Sequence, residues 1–247
     1  MSEPWKNSEP LLANAAPTVN NRLGLNWLIG AAVVTALLWQ LSGGDYILYP
    51  FTILATWFHE MAHGLMAVLL GGNFQELQIF PNGSGFAAYR FPASWDPIRR
   101  ALVAAAGPMG PPIAGAALIM ASRSYKTASL SLKILGISLL VSTLIWVRSL
   151  FGFIFIPLLG MIILFLGLKA TRSVQAFAIQ FLGVQACVST YHQLDYLFSQ
   201  TAGRLGVSDT AQIQQQLFLP YWFWGALMAV ASLAILIQSL RVAYRSN

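Results

Sequence analysis

The sequence is poor in charged residues and in cysteine. Only 9% of its 247 residues are charged, whereas a soluble domain carries about 25%. So few charges cannot cover a surface that faces water, which excludes an ordinary soluble protein. The single cysteine, Cys187, excludes an intrachain disulfide and a multi-cysteine zinc motif. The basic residues give a formal net charge of +6. They are scattered, which argues against nucleic-acid binding.

Long apolar runs recur along the chain, and 57% of the residues are hydrophobic. A helix that spans a bilayer needs about 20 apolar residues. The run 128–168 is too long for one helix, and we divide it near Arg148 and Gly152. We therefore predict an all-α polytopic membrane protein with a single membrane-embedded domain at 24–240. A flexible polar tail at 1–23 precedes this domain, and a short basic tail at 241–247 follows it. The predicted seven spans are 24–41, 46–70, 101–121, two within 128–168, 174–197 and 220–237.

The segment between the second and third spans has a different pattern. Residues 74–80 alternate roughly between apolar and polar, and the run 86–91 follows them. Asn82-Gly83 lies between the two runs, and this dipeptide is a strong signal for a tight turn. We predict a membrane-associated β-hairpin here.

Ionisable residues inside the predicted spans are few. The acids there are Glu60 and Asp195, and the histidines are His59, His63 and His192. A charged group at the bilayer centre costs about 2.5–3.5 kcal/mol, and a bound dication would offset that cost. The spacing of His59 and His63 puts two imidazoles about 40° apart on one helix face, one turn apart, within reach of one metal ion.

The segment His59-Glu60-Met61-Ala62-His63 matches the H-E-x-x-H pattern of zinc peptidases. In this pattern the two histidines bind zinc and the glutamate acts as general base on a water molecule. The alternative is a histidine pair that is hydrogen-bonded within the helix bundle, with Glu60 as its partner.

A catalytic zinc ion usually has a third protein ligand. Within the predicted spans the candidates are His192 and Asp195, which lie at positions i and i+3 of one helix. Asp209 lies outside the spans. We interpret it as the N-cap of a short helix with Gln212 in the capping-box position, and as a distant alternative ligand.

Three segments of the chain carry a family resemblance: His59-Glu60-Met61-Ala62-His63-Gly64, Ala106-Gly107-Pro108 and Leu194-Asp195. Together they resemble the site-2 protease family of intramembrane zinc metalloproteases, especially its compact members without a regulatory domain. The chain departs from the family's pattern at two positions. Tyr196 replaces the glycine of the family's Leu-Asp-Gly motif, and Met109 replaces the asparagine that often follows Ala-Gly-Pro.

The resemblance implies an intramembrane zinc endopeptidase that cuts transmembrane segments of other membrane proteins. It implies one Zn²⁺ per chain, bound by His59, His63 and Asp195, with Glu60 as the catalytic base. His192 would be a hydrogen-bonding or proton-handling group beside the metal. The hairpin would either hold the substrate as an added strand or merely plug the bundle. The candidate substrate contacts are Phe74, Asn82, Gly83 and Gly85.

Helix direction and charge also support Asp195 as the third ligand. His59 and His63 lie in the second half of their span, and Asp195 lies late in its own. Two late positions meet at one depth only if the two helices run parallel, which requires an odd number of intervening spans. The division of 128–168 gives three. An aspartate would also leave the site with less net positive charge than a third histidine.

Two other functions fit parts of the pattern. One is a zinc-binding membrane protein without proteolytic activity, and the other is a transporter with a His/Asp relay. A transporter is disfavoured because the sequence shows no inverted repeat. We expect a multi-pass protein of a bacterial-type plasma membrane. Its amino terminus is expected to be cytoplasmic, because the first loop, 42–45, has no positive charge.

Overall fold

The chain folds into helices with one small sheet. The computed structural model describes residues 25–192, 194–201 and 206–244, so the predicted tail 1–23 lies outside the described residues. The helices and strands of this described part are α1 (Leu25–Gln40), α2 (Gly44–Leu69), β1 (Asn73–Ile79), β2 (Gly85–Arg90), α3 (Pro97–Ala121), α4 (Tyr125–Ile145), α5 (Leu150–Lys169), α6 (Arg172–His192), α7 (Leu194–Leu197), α8 (Asp209–Gln216) and α9 (Tyr221–Tyr244).

Four helices of the described chain, α3, α4, α5 and α9, are long and apolar enough to cross a membrane. The predicted count of seven spans is therefore not confirmed. The other three predicted spans do coincide with helices, but α1 has only 16 residues. Helices α2 and α6 are long enough, but buried polar side chains lower their mean hydropathy. These side chains are Thr56, His59, Glu60 and His63 in α2 and Gln175, Gln180 and Gln185 in α6.

The long apolar run 128–168 is divided as predicted. Helix α4 ends at Ile145 and α5 begins at Leu150. The two helices form a tight hairpin in which glycines permit close contact. A Cβ added at Gly136 would lie 2.8 Å from the carbonyl oxygen of Gly160, and one at Gly167 would lie 3.0 Å from the backbone of Lys133. Small residues allow such close packing where lipid supplies little hydrophobic driving force between helices.

Helix α3 is the central element, since it contacts α2, α6, α8 and α9. Its glycines allow close packing against α2 and α6. A Cβ on Gly110 would lie 2.6 Å from the carbonyl oxygen of Phe58 in α2, and one on Gly115 would lie 2.6 Å from the Sγ of Cys187 in α6. Any larger side chain would push α3 away from its neighbours.

The predicted β-hairpin is present between α2 and α3. Strands β1 and β2 pair antiparallel, with Leu77 opposite Ala87 and Ile79 opposite Gly85. Gly83 in the turn has a φ of 85°, a conformation that glycine adopts without steric cost. The hairpin lies along α2, where the Tyr49 hydroxyl donates to the carbonyl of Pro81 at 2.6 Å.

The two edges of the hairpin differ. The outer edge of β1 is covered by the loop between α4 and α5, because the N–H of Leu77 donates to the carbonyl of Trp146 and the N–H of Arg148 donates to the carbonyl of Leu77. Ser149 adds two hydrogen bonds to the backbone of Ile79. In the part of the chain that the structure describes, no further strand pairs with the outer edge of β2.

Candidate metal and catalytic site

Two histidines and one aspartate meet in the interior of the protein. His59 and His63 lie one turn apart on α2, and Asp209 is the first residue of α8. The Nε2 atom of His59 lies 3.0 Å from Oδ2 of Asp209, and that of His63 lies 3.3 Å from Oδ1. All three residues are buried. Both imidazoles therefore present their Nε2 atoms to one carboxylate.

The orientation of His63 is set by a contact to the neighbouring helix. Its Nδ1 atom lies 2.7 Å from the backbone carbonyl of Val103 in α3. A carbonyl can only accept a hydrogen bond, so Nδ1 carries the proton. In the neutral imidazole Nε2 is then unprotonated and can coordinate a metal ion, which is how metal-binding histidines are commonly held.

The close approach of α3 to the histidines depends on Gly107. A Cβ at this position would lie 2.0 Å from Nε2 of His63 and 2.7 Å from Nε2 of His59. No side chain larger than hydrogen fits there without displacing an imidazole. Gly107 of the Ala106-Gly107-Pro108 segment thus lies directly against the two imidazoles.

Glu60 is buried beside the histidines but points to the hairpin. The backbone N–H of Ala87 donates to its carboxylate. Leu77 lies opposite Ala87 in the hairpin, and both backbone groups of Leu77 bond to the loop on the far side of β1. Leu77 and Ala87 are therefore a pair without mutual hydrogen bonds, so the N–H of Ala87 faces away from β1, at the outer edge of β2. Gly85 lies against the same side chain, since a Cβ there would be 2.7 Å from Cγ of Glu60. The hairpin therefore positions the carboxylate.

A cavity of about 510 Å³ opens over these groups. One wall carries the histidines, Glu60 and Asp209, and the facing wall is residues 83–89 of the hairpin, including the outer edge of β2. The other lining residues are Thr56, Tyr196, Val207 and Gln212. A polypeptide segment that entered this cavity would lie between the β2 edge and the buried acidic and imidazole groups.

The three side chains fit a zinc ion. The possible ligand atoms of His59, His63 and Asp209 lie within 4.8 Å of one another. Ligands at about 2.0–2.1 Å from a tetrahedral zinc ion lie about 3.3 Å apart, close to the two nitrogen–oxygen distances in the structure. Two imidazoles and one carboxylate also form a donor set that zinc commonly takes in hydrolases. A fourth position would remain open toward the cavity.

The charge state of Asp209 suits this role. Burial alone would raise its pKa, but the imidazoles of His63 and His59 outweigh burial and hold the pKa of this carboxyl well below its usual range. The group is therefore an anion at neutral pH. An anion here offsets part of the charge that a bound dication would bring into the protein interior.

The structure corrects the predicted third ligand. Asp195 is exposed on α7, and the group of described residues that could hold a metal ion includes Asp209 in its place. Asp209 was predicted as an N-cap, but that role belongs to Ser208, whose side chain accepts from the N–H of Ala211. This leaves the Asp209 carboxylate available to the histidines. The helix-direction argument failed because it required the ligand to lie in a span.

The other predicted site residues are divided between the cavity and other places. Gly83 and Gly85 line the cavity. Phe74 is in the core, where it stacks on Trp146 with ring centroids 5.0 Å apart. Asn82 is exposed, and its side-chain oxygen accepts from the N–H of Ser84 within the turn. The side chain of His192 lies outside the described residues.

Sequence reasoning missed Tyr196 as a site residue and ranked Asp209 too low. Tyr196 was noted only as a departure from a glycine, yet its hydroxyl donates to Oδ2 of Asp209 at 3.0 Å. A weak signal existed for Asp209, which is the first residue of a short polar helix between two apolar runs. No periodicity relates it to His59, because 150 residues separate the two along the chain.

Comparison with known proteins gives a match to a protein family. The profile of the family described as peptidase M50B-like matches residues 28–239, which include the histidines, Glu60, Tyr196 and Asp209. No curated protein sequence and no solved structure matched the chain.

Replacement of each aspartate separately tests the ligand assignment. Asp209→Ala is expected to lose most of the zinc that copurifies with the wild type, because it removes one of three ligands. The matched control is Asp195→Ala, which removes an exposed carboxylate and is expected to keep wild-type zinc. Elemental analysis of the purified proteins measures both. The reverse pattern would restore Asp195 as the ligand.

Gly107→Ala tests whether α3 sets the histidine geometry. The added methyl group would lie 2.0 Å from Nε2 of His63. Overpacking of this kind costs about 1–3 kcal/mol, so we expect zinc affinity to fall about fivefold or more. Gly30→Ala is the control, since a Cβ there has no atom within 4 Å. Equal affinities in a chelator competition titration would show that the close contact is not needed.

Proposed function

The chain belongs to the peptidase M50B-like family, as its resemblance to site-2 proteases predicted, and on this basis we propose that it is an intramembrane zinc endopeptidase. Its substrates would be peptide bonds within or near the transmembrane segments of other membrane proteins. The observation that carries the proposal is the buried cluster of His59, His63 and Asp209 beside Glu60, at one wall of a cavity.

The location of the protein follows from the same findings. The family match and the four apolar helices indicate an integral membrane protein. Many large apolar side chains on the outer faces of α4 and α5 are exposed, among them Leu144, Leu150 and Phe165. Such side chains suit contact with lipid. We propose that the remaining long helices, α2 and α6, are also embedded, with their polar faces turned inward.

The proposed reaction assigns one role to each group of the site. His59, His63 and Asp209 would hold a zinc ion, which would supply Lewis acidity to the scissile carbonyl and to the attacking water. The Glu60 carboxylate takes a proton from that water and then delivers it to the nitrogen of the leaving amine. Val103 and Gly107 keep the imidazoles in place, and the Ala87 N–H orients Glu60.

The outer edge of β2 supports capture of an extended substrate. A peptide bond inside a helix is shielded, so a transmembrane substrate must unwind locally before it reaches the cavity. The Ala87 N–H is taken by Glu60, but the other outward backbone groups of β2 can pair with such an unwound segment as an added strand. Gly83 and Gly85 leave room for it, because neither has a side chain to fill the cavity.

Glu60→Gln separates catalysis from metal binding. The amide keeps the size of the side chain but cannot accept the proton, so turnover is expected to fall by about 10²–10⁴-fold while zinc content stays at the wild-type level. Turnover can be followed by coexpression with a panel of tagged single-span membrane proteins and detection of their fragments. Zinc is measured on the purified proteins.

Other outcomes of this experiment have definite meanings. Loss of zinc in Glu60→Gln would make Glu60 a ligand, contrary to the proposal. A wild type that holds zinc but cleaves no panel member more than the variant does would favour a zinc-binding protein without proteolytic activity. A wild type without zinc would remove the basis of the proposal.

Gly85→Ala tests the contact between the hairpin and Glu60. The added Cβ would lie 2.6 Å from Cγ2 of Thr56 and 2.7 Å from Cγ of Glu60. The displaced carboxylate is expected to lower turnover about tenfold, the effect of roughly 1.4 kcal/mol on the barrier, with zinc retained. Gly30→Ala again is the control. Full activity in Gly85→Ala would show that the hairpin does not position the base.

A further inference from the structure

The hydroxyl of Tyr196 makes two contacts with a single residue, Asp209. It donates to Oδ2 of the carboxylate at 3.0 Å, and it accepts from the backbone N–H of Asp209 at 3.3 Å. A tyrosine hydroxyl offers one donor and two acceptor sites. Here the donor and one acceptor site hold the carboxylate and the main chain of the same residue.

The ring of Tyr196 is placed to keep this hydroxyl fixed. Tyr196 lies on α7, where the next residue, Leu197, is buried against Gly225 of α9. The tyrosine ring meets the His59 ring edge-on, with centroids 6.1 Å apart. Tyr196 thus connects the backbone of α7 to the carboxylate on α8 and to the imidazole on α2.

Asp209 needs such support, because it lies at the first position of an eight-residue helix. The main chain there is held by Ser208, which bonds to Ser199 and Gln200. Those contacts fix the backbone and leave the carboxylate to rotate about its side-chain bonds. The two imidazoles and the Tyr196 hydroxyl are the described groups that hydrogen-bond or ion-pair with it.

We propose that Tyr196 is a positioning residue for the third metal ligand: its hydroxyl holds the Asp209 carboxylate in the orientation that completes the His59, His63 and Asp209 cluster. The inference rests on the proposed zinc site. It assigns a purpose to the tyrosine that replaces the glycine expected after Leu194-Asp195. Partners of this kind, which orient a ligand without touching the metal, commonly contribute 10–100-fold to metal affinity.

Tyr196→Phe tests this role, because it removes the hydroxyl and keeps the ring. Zinc affinity, measured by competition with a chromogenic chelator on the purified protein in detergent, is expected to fall about 10–100-fold. The cobalt-substituted variant is expected to show a changed visible absorption spectrum, since the carboxylate no longer has a fixed orientation. Tyr221→Phe, at the start of α9, is the control and is expected to match the wild type.

A double-mutant cycle asks whether Tyr196 acts through Asp209. In an Asp209→Ala background, Tyr196→Phe is expected to cause no further loss of zinc affinity. A further loss there would overturn the proposal, as would unchanged zinc affinity and cobalt spectrum in the single variant. Lower turnover with unchanged affinity would instead assign Tyr196 a direct catalytic role. A wild type that binds no zinc would contradict the proposed function itself, which is a different result.

Discussion

A buried carboxylate between two imidazoles is the constraint on which the rest of the structure depends. Asp209 is a buried anion, and such a group is tolerated in the interior only when it is paired and hydrogen-bonded. His59, His63 and Tyr196 supply that pairing. The cluster therefore joins α2, α7 and α8, elements that local sequence would not hold together.

Helices α2 and α3 pack closely around this cluster because position 107 of α3 has no side chain. The histidines take up the volume that a side chain at position 107 would need, so glycine there is a condition of the site. The same contact brings the Val103 carbonyl to Nδ1 of His63. The orientation of the two imidazoles therefore depends on the packing of α3 against α2. Helix α3 leaves space for both rings at Gly107 and supplies the Val103 carbonyl as hydrogen-bond acceptor for His63.

The hairpin extends this arrangement to the proposed substrate. One edge is bonded to the loop between α4 and α5, which fixes its position against the bundle. The other edge lines the cavity, and no further strand of the described chain pairs with it. An exposed strand edge is normally a hazard, since it invites pairing with other chains. Within a cavity beside Glu60, the proposed catalytic base, that same property suits the capture of an unwound peptide.

The sequence by itself determined the local features. The charge deficit indicated a membrane protein, Asn82-Gly83 between two short runs predicted the hairpin, and the spacing of His59 and His63 predicted one face of a metal site. These signals depend on neighbouring residues, so periodicity and turn chemistry reveal them. The break between α4 and α5 was also local, because no single helix of that length suits a bilayer.

Only the tertiary structure decided which carboxylate completes the site. Asp195 matched the Leu-Asp-Gly motif and lay inside a predicted span. Asp209 lies in a short polar helix outside the predicted spans, where it was only a distant alternative ligand. The choice depends on how α7 and α8 fold back between α3 and α9, and no local pattern records that path. The role of Tyr196 is hidden for the same reason, because its hydroxyl acts on a residue 13 positions away that becomes a neighbour only after folding.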